Sequence, residues 1–153
     1  MKLEPASHDG ERTAAAPAQD WPIVFFDGVC VLCNRSVAFV VRRDRAAKLR
    51  FAPLQGELAR RLLPPAAIDV GPTGWVVLLE PGGRVSTRSR AVLRILGYLP
   101  GPWRLVAALD RIPGIERLLD LIYVPIVRNR YRWFGRYREC AIPDPELRAR
   151  LAE

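Results

Sequence analysis

"FFDGVCVLC", residues 25–33, sets an acid, a glycine and two cysteines directly behind an apolar run. With the two residues before it the run reads "IVFF" (23–26) and ends at Asp27-Gly28. A short, continuous apolar run bounded by a turn signal suits a central strand buried on both faces. Beyond the turn, Cys33, Val37, Val40 and Val41 recur at helical spacing, with Arg35, Arg42, Arg43 and Asp44 elsewhere on the cylinder. Cys30 and Cys33 thus sit where a strand hands over to a helix. Three chemistries use such a place: a metal clip, a phosphatase loop and a thiol-disulfide site.

Working outward, "LRFAPL" (49–54) reads as a second strand and "GELARRLLP" (56–64) as a short helix stopped by Pro64-Pro65. "WVVLLEPGGRVSTRS" (75–89) holds two strand-like runs joined by Pro81-Gly82-Gly83, a hairpin signal. Ser89 is placed to cap a helix running through Ala91, Val92, Ile95 and Leu96 to Gly97. The order β-α-β-α-β-β-α is the thioredoxin-like α/β arrangement. From Gly101 onward the chain reads as helical, in "PWRLVAALDRI" (102–112), "GIERLLDLIYVPIV" (114–127) and "ELRARLAE" (146–153). These segments are short and apolar, so they are expected to pack against the first hundred residues as a helical extension.

The chain has 153 residues, enough for one domain with a sizeable core, taken here as residues 21–153 with a core over 21–100 and an extension over 101–153. Residues 1–20 are rich in Ala and Pro without periodicity and read as a disordered tail. That tail mixes acids and bases and lacks an apolar core, so it does not read as a signal peptide, and no stretch approaches the roughly 18 apolar residues of a membrane span. Three cysteines do not form a disulfide framework, and a reducing cytoplasm is the expected compartment. The formal charge of +8 bears on solubility and on attraction to anions rather than on fold.

The phosphatase reading starts from "FFDGV", which resembles the end of the nucleophile motif of haloacid-dehalogenase-like phosphatases. That chemistry needs a second, attacking aspartate two residues before Asp27, and position 25 is Phe. The metal reading needs two ligands beyond Cys30 and Cys33, and the other Cys and His residues are Cys140 and His8, the latter in the expected tail. The redox reading needs only one activated thiolate and a second thiol in reach. Positions i and i+3 at a helix start meet that need, because free backbone N–H groups and the helix dipole lower the thiol of the first cysteine. Cys30 is therefore the expected nucleophile and Cys33 the resolving thiol, with no metal and no organic cofactor. Asp27 has two roles open to it: tuning proton transfer at the thiols, or simply bonding the N–H groups of its own turn.

"RNRYRWFGRYR" (128–138) carries five arginines and no acid, interleaved with Tyr131, Trp133, Phe134 and Tyr137. Such a mixture serves nucleic acid or an anionic membrane surface. The favoured reading is a helix with aromatics inward and arginines facing water or pairing with Asp110, Glu116 and Asp120. A local use is also open, in which arginines near Cys30 stabilise its thiolate. Cys140 is expected to be structural, with a regulatory role left open.

Asp27-x-x-Cys30-x-x-Cys33 resembles the signature of the DCC family of thiol-disulfide oxidoreductases, which takes its name from those three residues. The likeness runs on through "VVRRDR" (40–45), "LRFAPLQ" (49–55) and "SRAVLRILGYL" (89–99), and resumes at "IYVPIVRNRYRWFGRYREC" (122–140). It implies a thioredoxin-like fold with a helical extension and a dithiol-disulfide activity carried by Asp27, Cys30 and Cys33. Thioredoxin-like sites also set a proline before the third strand, facing the cysteines, and Pro72 in "GPTGW" (71–75) is the candidate for that substrate-binding position. The expected partner is a protein or low-molecular-weight thiol or disulfide, with no nucleic acid and no transmembrane segment. Peripheral membrane contact is left open. The competing reading is a noncatalytic basic interaction module with a structural or zinc-binding cysteine pair.

Overall fold

The structure, a computed structural model, describes residues 19–68 and 74–152. Pro72 lies outside the described residues, as does all of the expected tail before Gln19.

Strand β1 (Ile23–Phe26) occupies the middle of a four-stranded sheet and is buried along its whole length. It runs parallel to β2 (Arg50–Pro53) and antiparallel to β3 (Val77–Leu79), which in turn pairs antiparallel with β4 (Val85–Thr87), giving the order β2-β1-β3-β4. The connection between the parallel strands is α1 (Val31–Arg43), as a parallel pair requires a crossover. Because side chains alternate along a strand, "IVFF" feeds two cores. Val24 and Phe26 meet Val37 and Val41 of α1, Ala91 and Ile95 of α3 (Arg88–Gly97), and Phe51. Ile23 and Phe25 meet Ala52, Leu54, Val77, Leu79 and Ala59 of α2 (Glu57–Leu62). The mixed sheet with helices on both sides is the thioredoxin-like α/β arrangement read from the sequence.

The later chain is helical as read and departs from the reading in detail. Ser89 does not cap α3. That helix starts two residues earlier than such a cap would place it, after Thr87, and the Ser89 hydroxyl donates to Asp120 Oδ1 at 2.6 Å, tying α3 to the next long helix. The segment "PWRLVAALDRI" is a short helix, α4 (Trp103–Ala107), that tightens into a 3-10 turn over Ala108–Arg111. "GIERLLDLIYVPIV" is helical, as read, and is continuous with the helix favoured for the arginine-rich run. Helix α5 (Ile115–Phe134) runs twenty residues through Pro125 and takes in most of the arginine-rich run. A mid-helix proline removes one hydrogen bond and crowds the preceding turn. Here that loss is offset by anchors on both sides of it: the Tyr123 hydroxyl accepts from the Val76 amide at 3.2 Å, and Val127 and Arg130 are buried.

The C-terminal helix is also shorter than read. After α6 (Pro145–Arg148), capped by the Asp144 carboxylate, the chain turns to lie along β2. The Phe51 amide donates to the Arg150 carbonyl at 3.1 Å and the Ala152 amide to the Phe51 carbonyl at 2.8 Å. This covers the open edge of β2, the kind of unpaired strand edge that otherwise recruits other chains.

Candidate functional site

The turn after β1 brings Cys30 to the N-cap of α1 in an extended conformation, and its Sγ accepts the Cys33 amide at 3.1 Å. A serine or aspartate would fill this capping role in an ordinary helix; here a thiol does. Cys30 is fully buried and Cys33, on the first turn, is half-buried. A hydrogen bond from the Cys33 thiol is the main influence that lowers the Cys30 thiol, from an ordinary 9.0 to about 7. Burial opposes the shift, while the Cys33 amide and the Arg130 charge add to it. Donating to Cys30 pushes the Cys33 thiol well above its ordinary value, and burial pushes it further. The two sulfurs are therefore made unequal by the same contact.

Asp27 stands at the end of β1, 3% exposed, and its carboxylate is fully engaged. Oδ1 accepts Gln55 Nε2 at 2.6 Å and the Val29 amide at 3.1 Å; Oδ2 accepts Arg130 Nη2 at 2.9 Å and the Tyr131 hydroxyl. Burial alone would raise this carboxyl, but the bonds from Tyr131, Arg130, Gln55 and Val29 outweigh it and hold the group below the usual carboxylate range. Asp27 does bond the amide of its own turn, as one of the two open readings had it, and it does much more. Its negative charge raises both thiols, while the Arg130 charge lowers them.

Arg130 belongs to the arginine-rich run, and its charge lowers the Cys30 thiol, in line with the local use left open for that run; its pairing with Asp27 was not read from the sequence. Arg130 is 1% exposed and comes from α5, far along the chain from Asp27. Its Nη1 also donates to the Gly74 carbonyl at 2.5 Å and to the Val127 carbonyl at 3.1 Å. Gly74 lies just past the residues that carry Pro72, so Arg130 joins α5, the carboxylate and the approach to β3. The arginine-rich run keeps Arg128, Arg132, Arg136 and Arg138 exposed, as read, and departs from that reading at Arg130, which is buried, and at Trp133 and Phe134, which are exposed. A buried aspartate at the end of an apolar strand needs a cation, and that need, set beside the arginine-rich run, was the available signal for the pairing.

Two amides complete the frame. Gln55 Oε1 accepts the Gly28 amide at 3.1 Å, and Asn34 Nδ2 donates to the carbonyls of Gly28 and Cys30, both at 3.0 Å. The cysteine turn is thus fixed by side chains from β2's exit and from α1 itself.

Against this turn lies a strap, residues 135–141. The Tyr137 amide donates to the Val29 carbonyl at 2.8 Å, the Ala141 amide to the Gly28 carbonyl at 3.2 Å, and the Val31 amide to the Gly135 carbonyl at 3.4 Å. Cys30 and Arg136 form an antiparallel bridge. A Cβ on residue 28 would overlap the Cys140 Sγ, which gives a physical reason for glycine behind Asp27. Cys140 is otherwise exposed, and burial and the Asp27 charge raise its thiol. Among the described residues no three Cys, His, Asp or Glu side chains gather in a way that could hold a metal ion.

The chain is similar to known proteins over most of its length. The chain is 37% identical over 129 residues to an uncharacterized protein, YuxK, of Bacillus subtilis (strain 168), covering 84% of this chain and 92% of that one. It is 33% identical over 156 residues to a DCC family protein of Arabidopsis thaliana described as chloroplastic, covering 93% and 89% respectively. No solved structure matches it. The model of the DCC1-like thiol-disulfide oxidoreductase family matches residues 24–136, a span that runs from β1 through α5 to the first residues of the strap, and the chain belongs to that family.

Proposed function

We propose that this chain is a thiol-disulfide oxidoreductase in which Cys30 attacks, Cys33 resolves, and Asp27 with Arg130 sets the charge around them. The observation that carries the reading is the inequality of the two sulfurs: Cys30 lowered to about 7 at a helix N-terminus, Cys33 raised beside it. The Cys30 thiolate attacks one sulfur of a substrate disulfide, forming a mixed disulfide and expelling the other sulfur as a thiolate. Once Cys30 is no longer an anion, the contact that raised Cys33 is gone, and Cys33 gives up its proton to solvent or to the expelled thiolate. Its sulfur then attacks Cys30 Sγ, releasing the second substrate thiolate and closing a Cys30–Cys33 disulfide. Two electrons pass from the dithiol to the substrate, and the reverse sequence oxidises a substrate dithiol. Asp27, held ionised by four donors, acts as a fixed charge that keeps Arg130 in place rather than as the proton carrier.

Cys30 is buried, so the strap over residues 135–141 must lift for a substrate sulfur to reach it. Three backbone hydrogen bonds hold it against the turn, and most of its side chains are exposed, so its opening is the low-cost end of this molecule's motions. We further propose that residues 21–153 act as one unit in a reducing compartment such as the cytoplasm, on a protein or low-molecular-weight thiol substrate, with Pro72 at the substrate side. The full burial of Cys30 favours one second reading, a noncatalytic interaction module whose cysteines are packing residues.

Redox titration in glutathione buffers, with thiols trapped by alkylation and read by mass, separates the two. A reversible Cys30–Cys33 disulfide that disappears in Cys30→Ser and in Cys33→Ser is expected. A pair that never oxidises removes the mechanism and leaves the packing role.

A further inference from the structure

Helix α5 has two sides with different partners. Its inner stripe, Glu116, Asp120, Tyr123, Val127 and Arg130, faces α3, the approach to β3 and the cysteine turn through the bonds already described. Its outer stripe, Leu118, Leu121, Ile122 and Pro125, follows the i, i+3, i+4, i+7 spacing of one continuous helix face. None of the described residues covers it: Leu118 is 60% exposed, Leu121 72% and Ile122 64%. Neighbouring elements also carry exposed apolar side chains. Trp103 of α4 turns inward to pack edge-on against Phe39 of α1 at 5.2 Å, which leaves Leu105, 77% exposed, on the outside, and Ile112 is exposed between the two helices. Trp133 and Phe134 stand exposed at the far end of α5.

Exposed charge along this segment has one sign. From residue 101 to residue 134 every exposed charged side chain is an arginine: Arg104, Arg111, Arg117, Arg128 and Arg132. The three acids of the same segment are turned inward. Asp110 pairs with Arg90 and Arg94, Asp120 with Arg88 and Ser89, and Glu116 is half-buried beside Ser89. An aliphatic face rimmed by arginines, with a tryptophan at its end, is matched by a surface that is anionic outside and hydrocarbon beneath. A nucleic acid would match the charge but not the leucines, since bases stack on aromatic rings. No helix among the described residues is long and apolar enough to cross a membrane, so the contact is interfacial rather than spanning.

We propose that the outer face of α4 and α5 rests on an anionic lipid bilayer, with Leu105, Ile112, Leu118, Leu121 and Ile122 in the headgroup boundary and the arginines on acidic headgroups. The docked helix is the one whose inner side supplies Arg130 to the cysteine turn, so lipid binding would fix the orientation of the thiol site relative to the membrane. The contact itself does not depend on thiol chemistry.

The test is sedimentation of the full chain with vesicles of phosphatidylglycerol and phosphatidylcholine, and with vesicles of phosphatidylcholine alone. Binding to the acidic vesicles that weakens with added salt is expected. Two variants on exposed positions probe the two halves of the surface: L118S/L121S/I122S and R117E/R128E, each checked for unchanged circular dichroism. Each is expected to bind acidic vesicles more than about tenfold more weakly. Absence of binding at low salt, equal binding to both vesicle types, or binding unchanged in both variants overturns the proposal. So does sedimentation velocity showing a dimer that the triple serine variant dissolves, because the face would then belong to a second copy. Tighter binding to a single-stranded oligonucleotide than to acidic vesicles likewise contradicts it.

Discussion

Helix α1 is bracketed by two buried aspartates, and each is met by an arginine from the last quarter of the chain. Before the helix, Asp27 takes the Val29 amide and Arg130; after it, Asp44 takes the Lys48 and Leu49 amides and Arg150 Nη1 at 3.0 Å. The Arg150 side chain also closes on the Asp44 carbonyl at 2.9 Å. By local geometry the two sites are near copies: a carboxylate absorbing backbone donors at a chain reversal, neutralised from a distant segment. What differs is the company. Asp27 has Tyr131, Gln55 and two thiols beside it, while Asp44 faces only its own corner and the turn that leads into β2. A buried ion pair is therefore not by itself a sign of function. The sign is a buried pair whose charges reach groups that can react.

The comparison can be broken most directly at the arginines. Removing Arg130 leaves a carboxylate buried without its cation, so Arg130→Leu is expected to cost ~3–5 kcal/mol in urea unfolding. It should also raise the pH midpoint of Cys30 alkylation, by less than about one unit because Arg130 is a lesser cause of that shift than the Cys33 bonds. Arg150→Leu, at a partly exposed position, is expected to cost about 1.5–3 kcal/mol and to leave the midpoint where it was. If both variants move the midpoint equally, the two pairs are not distinct.

The aspartates sharpen the same contrast with a change of sign. In Asp27→Asn an anion that raises Cys30 is lost and Arg130 is left uncompensated, so the Cys30 midpoint should fall below about 7 even as the protein becomes less stable. Asp44→Asn should lower stability without moving the midpoint. A rise of the midpoint in Asp27→Asn would show that the carboxylate assists thiolate formation and would reverse its assigned role.

Stability should also record the lowered thiol. Cys30 goes from an ordinary 9.0 in the unfolded chain to about 7 in the fold, so its ionisation stabilises the fold fully above pH 9 and not at all well below pH 7. For the reduced protein, the stability difference between wild type and Cys30→Ser is expected to grow in favour of wild type as pH rises from about 7 to 9. A flat difference across that window would contradict the lowered value. The smallest expected effect is at Tyr131→Phe, where one of four donors to Asp27 is lost, at about 1 kcal/mol and with little change in alkylation.

The first half of the site was legible because its parts are adjacent in sequence. "IVFF", Asp27-Gly28 and the helical spacing after Cys33 are local patterns, and β1, α1 and β2 fall within a residue or so of where those patterns put them. Gly28 lies in a turn, as read, and a further demand on it that the sequence did not show is room for the Cys140 sulfur. The second half was hidden by distance. The helix read over 114–127 and the helix favoured for the arginine-rich run are one element, α5, which carries Arg130 and Tyr131 to a carboxylate a hundred residues earlier, and helix rules applied within one segment do not register that contact. Ser89 misled for a similar reason. The helix starts before Ser89, and the Ser89 amide and hydroxyl both donate to Asp120 Oδ1, so a carboxylate from α5 takes the capping part expected of the serine. Composition identified an arginine-rich run, and only packing decided which arginine was inside.

The measurement that tests the central claim most directly is the rate of iodoacetamide alkylation of reduced protein as a function of pH, with the modified sulfur identified by mass. The account expects Cys30 to react first, with a midpoint near pH 7, and Cys33 to stay unmodified until well above it. Reaction at Cys33 ahead of Cys30, or a Cys30 midpoint at the ordinary thiol value of 9.0, would contradict it.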